Sequence, residues 1–566
     1  MRFSFRPKIF DLFQKGKYTM DDFRADLIAG VIVGIIALPL AIAFGISSGV
    51  SPQQGLITAI VAGFLMSFLG GTYSLIGGPT GAFIVIIYGI VTKFGMDGLI
   101  IATAMAGIML VLMGVFKLGT LIKFIPYPII VGFTSGIAVV IFSTQIKDFF
   151  GLQIESVPSG FLEQWKCYFH HFGTIKLSET LLGLVCLLVC IFWPKVTKKV
   201  PGSLIAIVVG IIASVVATKV DGISFLTIGD KFPELAGGLA FPTPSLPAIN
   251  IDTIQELFSP AITIALLCAI ESLMAAMVAD GVTGKKHDSN TELIGQGVAN
   301  IVTPFFGGIP ATGALARTMA NINNGGRTPI AGIVHAVVLL VIFLFLLPYA
   351  VYIPLSCLAA ILVMVAYNMS EWRTFKYLLK GEKTDVAVLL ITFFLTVIID
   401  LTVAIEVGML LAVILFVKRV SETTNINVMG KDPIAATENV EVINPTDTQY
   451  LDIPDGVEVY EIDGPFFFGL ASKIDEFDRF RGEKLKVRVI RMRRVPFMDS
   501  TGLNNLRNLY QRSKKEGIQM VLSGVTEKVH ATLRKSGFAN EIGEENILPH
   551  ITPAMKRASE LLNANN

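Results

Sequence analysis

Residues 268–318 read CAIESLMAAMVADGVTGKKHDSNTELIGQGVANIVTPFFGGIPATGALART, and the rest of the chain is interpreted outward from this stretch. It places one carboxylate, Glu271, inside a long apolar run, and one cation, Arg317, just after a break rich in Gly and Pro. An ionisable group at membrane depth costs about 2.5–3.5 kcal/mol on insertion scales, so such groups commonly mark a transport path. A helix that opens at a break inside the bilayer presents backbone N–H groups to an anion. The stretch therefore predicts half of an anion site.

The other half is predicted in residues 74–89, SLIGGPTGAFIVIIYG. The apolar runs 80–92 and 314–321 are too short to cross a bilayer alone, because a span needs about 20 residues. Each run follows a Gly/Pro break, and the two share the letters Thr-Gly-Ala. Paired breaks in corresponding halves of a chain are typical of a transporter binding site. The candidate anion-binding residues are Pro79, Thr80, Gly81, Ala82, Phe83, Thr312, Gly313, Ala314 and Arg317.

Composition indicates an integral membrane protein. Of the 566 residues 53% are hydrophobic and 16% are charged, whereas a soluble globular protein carries about 25% charged residues. Apolar runs follow one another almost continuously to Val417 and predict fourteen spans, in two sets of seven with the broken element third in each set. Lysine and arginine in alternate short loops predict that both termini are cytoplasmic, in a multi-pass protein of the cytoplasmic membrane.

Four regions are predicted along the chain. Residues 1–24 form a cytoplasmic lead-in, and residues 25–420 form the transmembrane domain. Residues 421–449 are a polar linker, and residues 450–566 alternate between strand-like and helix-like segments, which is typical of a small α/β domain. No nucleotide-binding loop, nucleophile elbow or metal-ligand spacing occurs, so we expect a transporter without cofactor or metal rather than an enzyme. The sequence has no patch of basic and aromatic residues of the kind that binds nucleic acid, so nucleic acid is not an expected partner.

The two charged residues each have a functional and a structural interpretation. A carboxyl group withdrawn from water favours its neutral form, so Glu271 is a candidate for proton coupling. Its structural alternative is a carboxylate that pairs with a distant arginine or caps a broken helix. Arg317 either supplies a positive field to the anion or is a structural partner for Glu271 or for backbone carbonyls. The small residues at the breaks suit close approach of an anion, and they equally suit close helix packing.

Several stretches together resemble the SulP family of anion transporters, and the region from about residue 450 resembles the STAS domain that follows the transporter in that family. The matching stretches include ADLIAGVIVGIIALPLAIAFG, GGTYSLIGGPTGAF, AIESLMAAMVADGVTG and MSEWRTFKYLL. The resemblance implies an α-helical membrane protein with fourteen helices in a 7+7 inverted repeat, in which a core domain moves against a gate domain. It also implies a homodimer in the lipid bilayer, with a cytoplasmic STAS domain that is open to a partner.

The resemblance is strongest to bacterial proton-coupled members that carry Glu in the IESL motif. Sodium-coupled bicarbonate members carry Asp there, with Thr at the positions that match Ala275 and Leu315. Sodium is disfavoured as the coupling ion, because hard cations prefer oxygen ligands. The expected function is proton-coupled symport of a C4-dicarboxylate, sulfate or bicarbonate. Sodium-coupled bicarbonate or sulfate transport, and a passive anion channel or exchanger, remain as alternatives.

In the STAS-like region, residues 495–503, VPFMDSTGL, lie between a strand and a helix. This stretch resembles the loop that is phosphorylated in anti-sigma-factor antagonists. The resemblance makes Thr501, with Ser500 beside it, a candidate phosphorylation site. The alternative is that Asp499 and Ser500 only cap the following helix.

Overall fold

The computed structural model describes residues 5–13, 18–120, 126–155, 157–158, 160–197, 200–217, 224–233, 235, 242–244, 251–399, 401–423, 425–429, 453–468 and 485–564. The chain divides into two compact units, Met1–Leu411 and Ala412–Asn566. The first unit is helical, and the second contains a sheet of five strands. Most of the predicted linker, residues 430–449, lies outside the described residues.

The first half of the membrane unit begins with a long apolar helix and reaches its broken element third. Its helices are α1 (Met20–Ser47), α2 (Pro52–Leu69), α3 (Ile84–Val115), α4 (Tyr127–Phe150), α5 (Phe161–His171), α6 (Leu177–Val196), α7 (Gly202–Ala217) and α8 (Ile228–Lys231). Gly95 interrupts α3 with a φ of 68°, a left-handed conformation that glycine adopts readily. The α3 helix therefore consists of two successive membrane segments.

The second half repeats this order. Its helices are α9 (Ile251–Thr283), α10 (Ser289–Val302), α11 (Leu315–Asn323), α12 (Pro329–Phe345), α13 (Leu355–Met369), α14 (Trp372–Leu378), α15 (Lys383–Ile398) and α16 (Leu401–Thr423). With α3 counted as two segments, and the short α5, α8 and α14 as connections, the described residues give seven segments in each half. Seven of the described helices are long and apolar enough to cross a membrane. The predicted helical membrane fold with a 7+7 repeat is confirmed.

The helices of the membrane unit pack as two groups. In one group α1 packs on α2 and α12, and α3 packs on α9 and α10; in the other, α4 packs on α13 and α15, and α6 packs on α7 and α13. These groups are the predicted core and gate. Small residues allow the close approaches inside the core, as between α3 and α10. A Cβ added to Gly107 would lie 2.6 Å from the carbonyl oxygen of Gly297, and the reverse holds for Gly297.

The N-terminal lead-in is packed against the core where the structure describes it. A 3₁₀ turn, Lys8–Phe13, buries Ile9 and donates the Lys8 amide to the Gly70 carbonyl at 3.0 Å. The Tyr73 hydroxyl donates to the Asp11 carboxylate at 2.7 Å. Burial, and then the hydrogen bond to Asp11, raise the pKa of Tyr73 to about 12, so the phenol stays a donor at neutral pH. The turn is thus fixed to the segment that leads into the first break.

Two very short strands, β1 (Gly77–Gly78) and β2 (Thr312–Gly313), belong to the membrane unit. The second unit contains β3 (Asn425–Met429), β4 (Val457–Asp463), β5 (Val487–Arg494), β6 (Gln519–Ser523) and β7 (Ile547–Leu548), which lie in that order across one sheet. β3 is antiparallel to β4, and the other pairs are parallel. Its helices are α17 (Ser500–Lys515), α18 (Glu527–Lys535), α19 (Phe538–Ile542) and α20 (Ile551–Ala564).

Alternation along the strands separates the two faces of this sheet. Val457 and Val459 of β4 pack with Met555 of α20, whereas Tyr460 and Ile462 pack with residues of α17, α18 and α19. The predicted α/β organisation is confirmed. One boundary differs, because β3 lies within residues 421–449 and pairs with β4 along its whole length. A single five-residue strand between polar neighbours has too little periodicity to be distinguished from a linker.

Candidate functional site

The two breaks meet directly. β1 and β2 are antiparallel neighbours, with Gly77 opposite Gly313 and Gly78 opposite Thr312. The pairing extends by one bond, since the Ala314 amide donates to the Ile76 carbonyl at 2.9 Å. After these strands the chain enters helices in both halves, through a 3₁₀ turn at Gly81–Phe83 that leads into α3, and directly into α11 at Leu315. Both helix starts therefore lie next to one two-stranded pair.

Glu271 reaches the first break from α9. The Thr80 hydroxyl donates to Glu271 Oε2 at 3.0 Å, and both side chains are partly buried. Thr80 is the N-cap residue of the 3₁₀ turn, with extended backbone, and its side chain makes no capping bond to that turn. The carboxylate is thus hydrogen-bonded to the N-cap residue of the first half-helix (the 3₁₀ turn Gly81–Phe83 and the start of α3), and not to an arginine.

Arg317 holds the same break from the other side. Its Nη2 donates to the Pro79 carbonyl at 2.7 Å, and the residue is only 2% exposed. A Cβ at Gly78, whose φ is 153°, would lie 2.1 Å from Arg317 Nη1, so the close approach requires glycine there. The guanidinium therefore lies against the backbone of the first break, at Gly78 and Pro79. Glu271 and Arg317 bond to consecutive residues and not to each other.

The second break is fastened to α9 by side chains. The Gly313 amide donates to Ser272 Oγ at 3.0 Å, and the Ser272 and Thr312 hydroxyls are 2.7 Å apart. The Thr312 hydroxyl donates to the Cys268 carbonyl at 3.1 Å. The Gly313 and Ala314 amides therefore already have hydrogen-bond partners. Residues at the start of a helix have no intrahelical acceptor for their N–H groups, and here Leu315 is exposed.

The side-chain amide of Asn300, on α10, forms two hydrogen bonds with the backbone just before β2, in the pattern that a neighbouring strand would form. Its Oδ1 accepts the Ala311 amide at 2.9 Å, and its Nδ2 donates to the Ala311 carbonyl at 2.8 Å. Both residues are fully buried. This side chain therefore sets the position from which β2 and α11 begin.

We expect Asn300→Leu to lower both the thermal unfolding temperature and the anion affinity, because it leaves the buried Ala311 amide without a partner and the Ala311 carbonyl with only the weak thiol donor of Cys268. Each such group costs about 1–3 kcal/mol. Thermal unfolding of the detergent-solubilised protein, with and without anion, measures the effect. Asn324→Leu is the matched control, since Asn324 donates to the Ala320 carbonyl at the half-buried end of α11. Equal unfolding temperatures for the two variants would contradict this assignment.

The gate contributes the wall that faces the first half-helix. A Cβ on Gly81 would lie 3.1 Å from Ile141 Cδ1 of α4 and 3.1 Å from Met369 Sδ of α13, and 3.4 Å from Phe44 Cε1 of α1. Apolar tips from the gate thus touch the backbone at the helix start. Ala82 and Phe83 are both fully buried.

The residues that hold the second break were not predicted from the sequence; they are Cys268, Ser272 and Asn300. A signal for two of them was present. Cys268 and Ser272 are four residues apart in an apolar helix, so they lie on one face. Ile141 and Met369 had no signal, because they are ordinary apolar residues of apolar helices.

In the second unit, Asp499 is the cap of α17. Its Oδ1 accepts the Gly502 amide at 2.6 Å. Ser500 and Thr501 follow in the first turn of α17 and are exposed. The predicted capping role thus belongs to Asp499, and the two hydroxyls are accessible.

Comparison with known proteins identifies the chain. The Sulfate permease family matches residues 23–392, and the STAS domain matches residues 450–555. "Putative sulfate transporter YvdB" of Bacillus subtilis is 40% identical over 551 residues, which cover 97% of this chain and 99% of the relative. "Bicarbonate transporter BicA" of Synechocystis is 31% identical over 517 residues, which cover 89% and 88%.

Two solved structures have a fold similar to that of this chain. Murine Slc26a9, an anion transporter in an inward-facing state, has a TM-score of 0.85 and covers 98% of this chain and 94% of its own; at 18% identity this likeness establishes the fold. The transmembrane domain of cyanobacterial BicA is 30% identical with a TM-score of 0.61, and the match covers 70% of this chain and 99% of that domain. These relatives are named transporters, which confirms the prediction of a transporter rather than an enzyme. A particular closeness to proton-coupled dicarboxylate members is not shown. The chain belongs to the sulfate permease family, and it carries a C-terminal STAS domain.

Proposed function

We propose that this chain is a secondary active transporter that moves a small oxyanion together with a proton. The anion class comprises C4-dicarboxylates, sulfate and bicarbonate. The observation that supports proton coupling is the 3.0 Å hydrogen bond between Thr80 and Glu271, at the point where the two broken helices begin. A carboxyl group that is hydrogen-bonded at an anion-binding helix start responds both to its own protonation and to the charge of the bound anion.

The anion would bind between the two helix starts. Free N–H groups in a first helical turn and the helix dipole, equivalent to about half a positive charge, favour an anion there. Gly81 and Ala82 have small side chains at one helix start, and Leu315 and Ala316 carry the first-turn amides of the other. Arg317 would add positive potential from behind the break without touching the anion. Named sulfate and bicarbonate transporters among the relatives support this oxyanion class.

A sodium-coupled bicarbonate transporter is the second candidate, because of the 31% identity with BicA. The donor set argues for the proton instead. Ala275, one turn after Glu271, is fully buried and offers no oxygen. Leu315, at the start of α11, likewise has no side-chain oxygen, whereas hard cations collect several oxygen ligands.

The test is uptake of radiolabelled fumarate, succinate, sulfate and bicarbonate into proteoliposomes, with proton and sodium gradients imposed separately. We expect one of these anions to accumulate under an inward proton gradient, and to exchange in counterflow without any gradient. Accumulation under a sodium gradient alone would favour the second candidate. Conductance without counterflow would indicate a passive channel.

The membrane orientation is part of the proposal. Lysine and arginine in the predicted inner loops, such as Lys285 and Lys286 after α9, support a cytoplasmic location for both termini under the positive-inside rule. Reporter fusions at each terminus test this orientation in cells. We also propose a homodimer, for which the molecular mass of the protein in nanodiscs is the direct measurement.

The STAS domain would add regulation. A phosphate on Ser500 or Thr501 would lie at the N-terminus of α17, where negative charge is favoured. Mass spectrometry of the protein purified from growing cells tests for this modification. A cytoplasmic partner of this surface would be retained by the phosphorylated form and lost by the double alanine variant.

A further inference from the structure

We propose that the hydroxyl of Thr80 couples the proton to the anion, by donating to Glu271 when the carboxylate is ionised and to the bound anion when it is protonated. This inference rests on the proton-coupled function above and names the group through which coupling occurs. The Thr80 hydroxyl thus has a role of its own, separate from that of the backbone N–H groups of the half-helix.

The ionised state follows from the observed contact. A threonine hydroxyl has one hydrogen to donate. With Glu271 ionised, the carboxylate accepts only, so the 3.0 Å contact requires that the Thr80 hydrogen point at Oε2. The hydroxyl makes no capping bond to its own 3₁₀ turn. In this state the single hydrogen of Thr80 is therefore committed to the carboxylate and is not offered to an anion.

Protonation of Glu271 reverses the direction of this hydrogen bond. The new O–H of the acid donates to Thr80 Oγ1, which still has acceptor capacity. The Thr80 hydrogen is then released and can turn, by rotation about the C–O bond, toward the space in front of the helix start. The proton comes from hydronium, one of whose O–H bonds breaks to leave water as an O–H bond forms at the carboxylate, and no other covalent bond changes. The anion gains a donor and loses a repelling charge in the same step.

Among the described residues, four other titratable or charged groups on α9 and on the elements packed against it have contacts of their own. The Cys268 thiol, on the same helix, and the Arg317 guanidinium, on α11, both donate to backbone carbonyls. Glu292 of α10 accepts from the neutral groups of the segment before β1 and from a glutamine. The ring of Tyr88 on α3 lies against the end of α1. Thr80 is thus the group through which a change at Glu271 reaches the half-helix.

The experiment compares the KM for the transported anion at acid and alkaline pH in proteoliposomes. The variants are Thr80→Val, which keeps the shape but not the hydroxyl, and Thr80→Ser, which restores it. We expect Thr80→Val to raise the acid-pH KM about tenfold, the effect of one hydrogen bond to a charged group, so that the change of KM with pH shrinks by the same factor and only the effect of the Glu271 charge is left. Thr80→Ser should behave as the unmodified protein does. Thr92→Val is the control, because Thr92 donates to its own helix away from the site.

The outcomes separate this inference from the proposed function. If Thr80→Val keeps the full, undiminished pH dependence of KM and Glu271→Gln loses it, the coupling role of Thr80 is overturned and proton coupling stands. If Glu271→Gln keeps the pH dependence, proton coupling itself is overturned and this inference with it.

A second measurement does not require transport. Infrared difference spectra on acidification should show one protonated carboxyl band that is absent in Glu271→Gln. Its frequency should shift in Thr80→Val, because the acid loses its acceptor. A band at the unmodified frequency in Thr80→Val would overturn the inference.

Discussion

Glu271→Gln is expected to abolish anion uptake driven by an inward proton gradient, down to the level of empty vesicles, while exchange of anion for anion continues. Glutamine has the shape of the protonated acid and carries no charge. Its amide can donate to Thr80 Oγ1 as the acid would, so the half-helix keeps its contact with α9. The variant therefore binds the anion as the protonated state does, but it has no proton to release.

The measurement is uptake at a fixed external anion concentration as the external pH is lowered, together with counterflow at equal pH. Glu256→Gln is the matched control. Glu256 is on the same helix, but its side chain is 56% exposed and pairs with Lys93 at 3.2 Å. Uptake by Glu271→Gln that still rises with acidity would refute the proton role. Loss of counterflow as well would indicate that the carboxylate is needed for structure.

Replacement of Arg317 is expected to weaken anion binding. Arg317→Met keeps the length of the side chain and removes both the charge and the donor to the Pro79 carbonyl. A hydrogen bond to a charged group contributes about 1.5–3 kcal/mol, so the KM should rise about tenfold or more. Arg317→Lys keeps the charge without the planar fork, and its KM should lie between those of the unmodified protein and Arg317→Met.

Two measurements distinguish the electrostatic effect of the Arg317 charge from the structural effect of its hydrogen bond to the Pro79 carbonyl. A rise in KM with an unchanged unfolding temperature indicates the field, whereas a fall in both anion affinity and unfolding temperature indicates that the Pro79 bond positions the break. Arg327→Gln is the control for loss of a positive charge, since Arg327 pairs with Asp22 at 2.9 Å and is largely exposed. An unaltered KM in Arg317→Met would remove this residue from the site.

Local properties of the sequence were sufficient for the fold class. Long apolar runs can only be helices in a bilayer, because every backbone N–H and C=O must be satisfied within the segment. The two breaks were visible for the same reason, since Gly and Pro interrupt helices locally. Glu271 and Arg317 stood out because charge is rare in apolar runs. Alternation predicted β4, β5 and β6 of the C-terminal domain, whereas β3 and the two-residue β7 had no such signal.

The sequence alone therefore determined a membrane protein with two interrupted helices, one acid and one base. Only the tertiary structure decided how these parts act together. Thr80 and Glu271 are 191 positions apart, and Arg317 and Pro79 are 238 apart, so no local pattern connects them. The gate residues Ile141 and Met369 became part of the site only through packing of two helix groups. Contacts between distant side chains depend on how all the helices pack at once, and no single segment of the sequence contains that information.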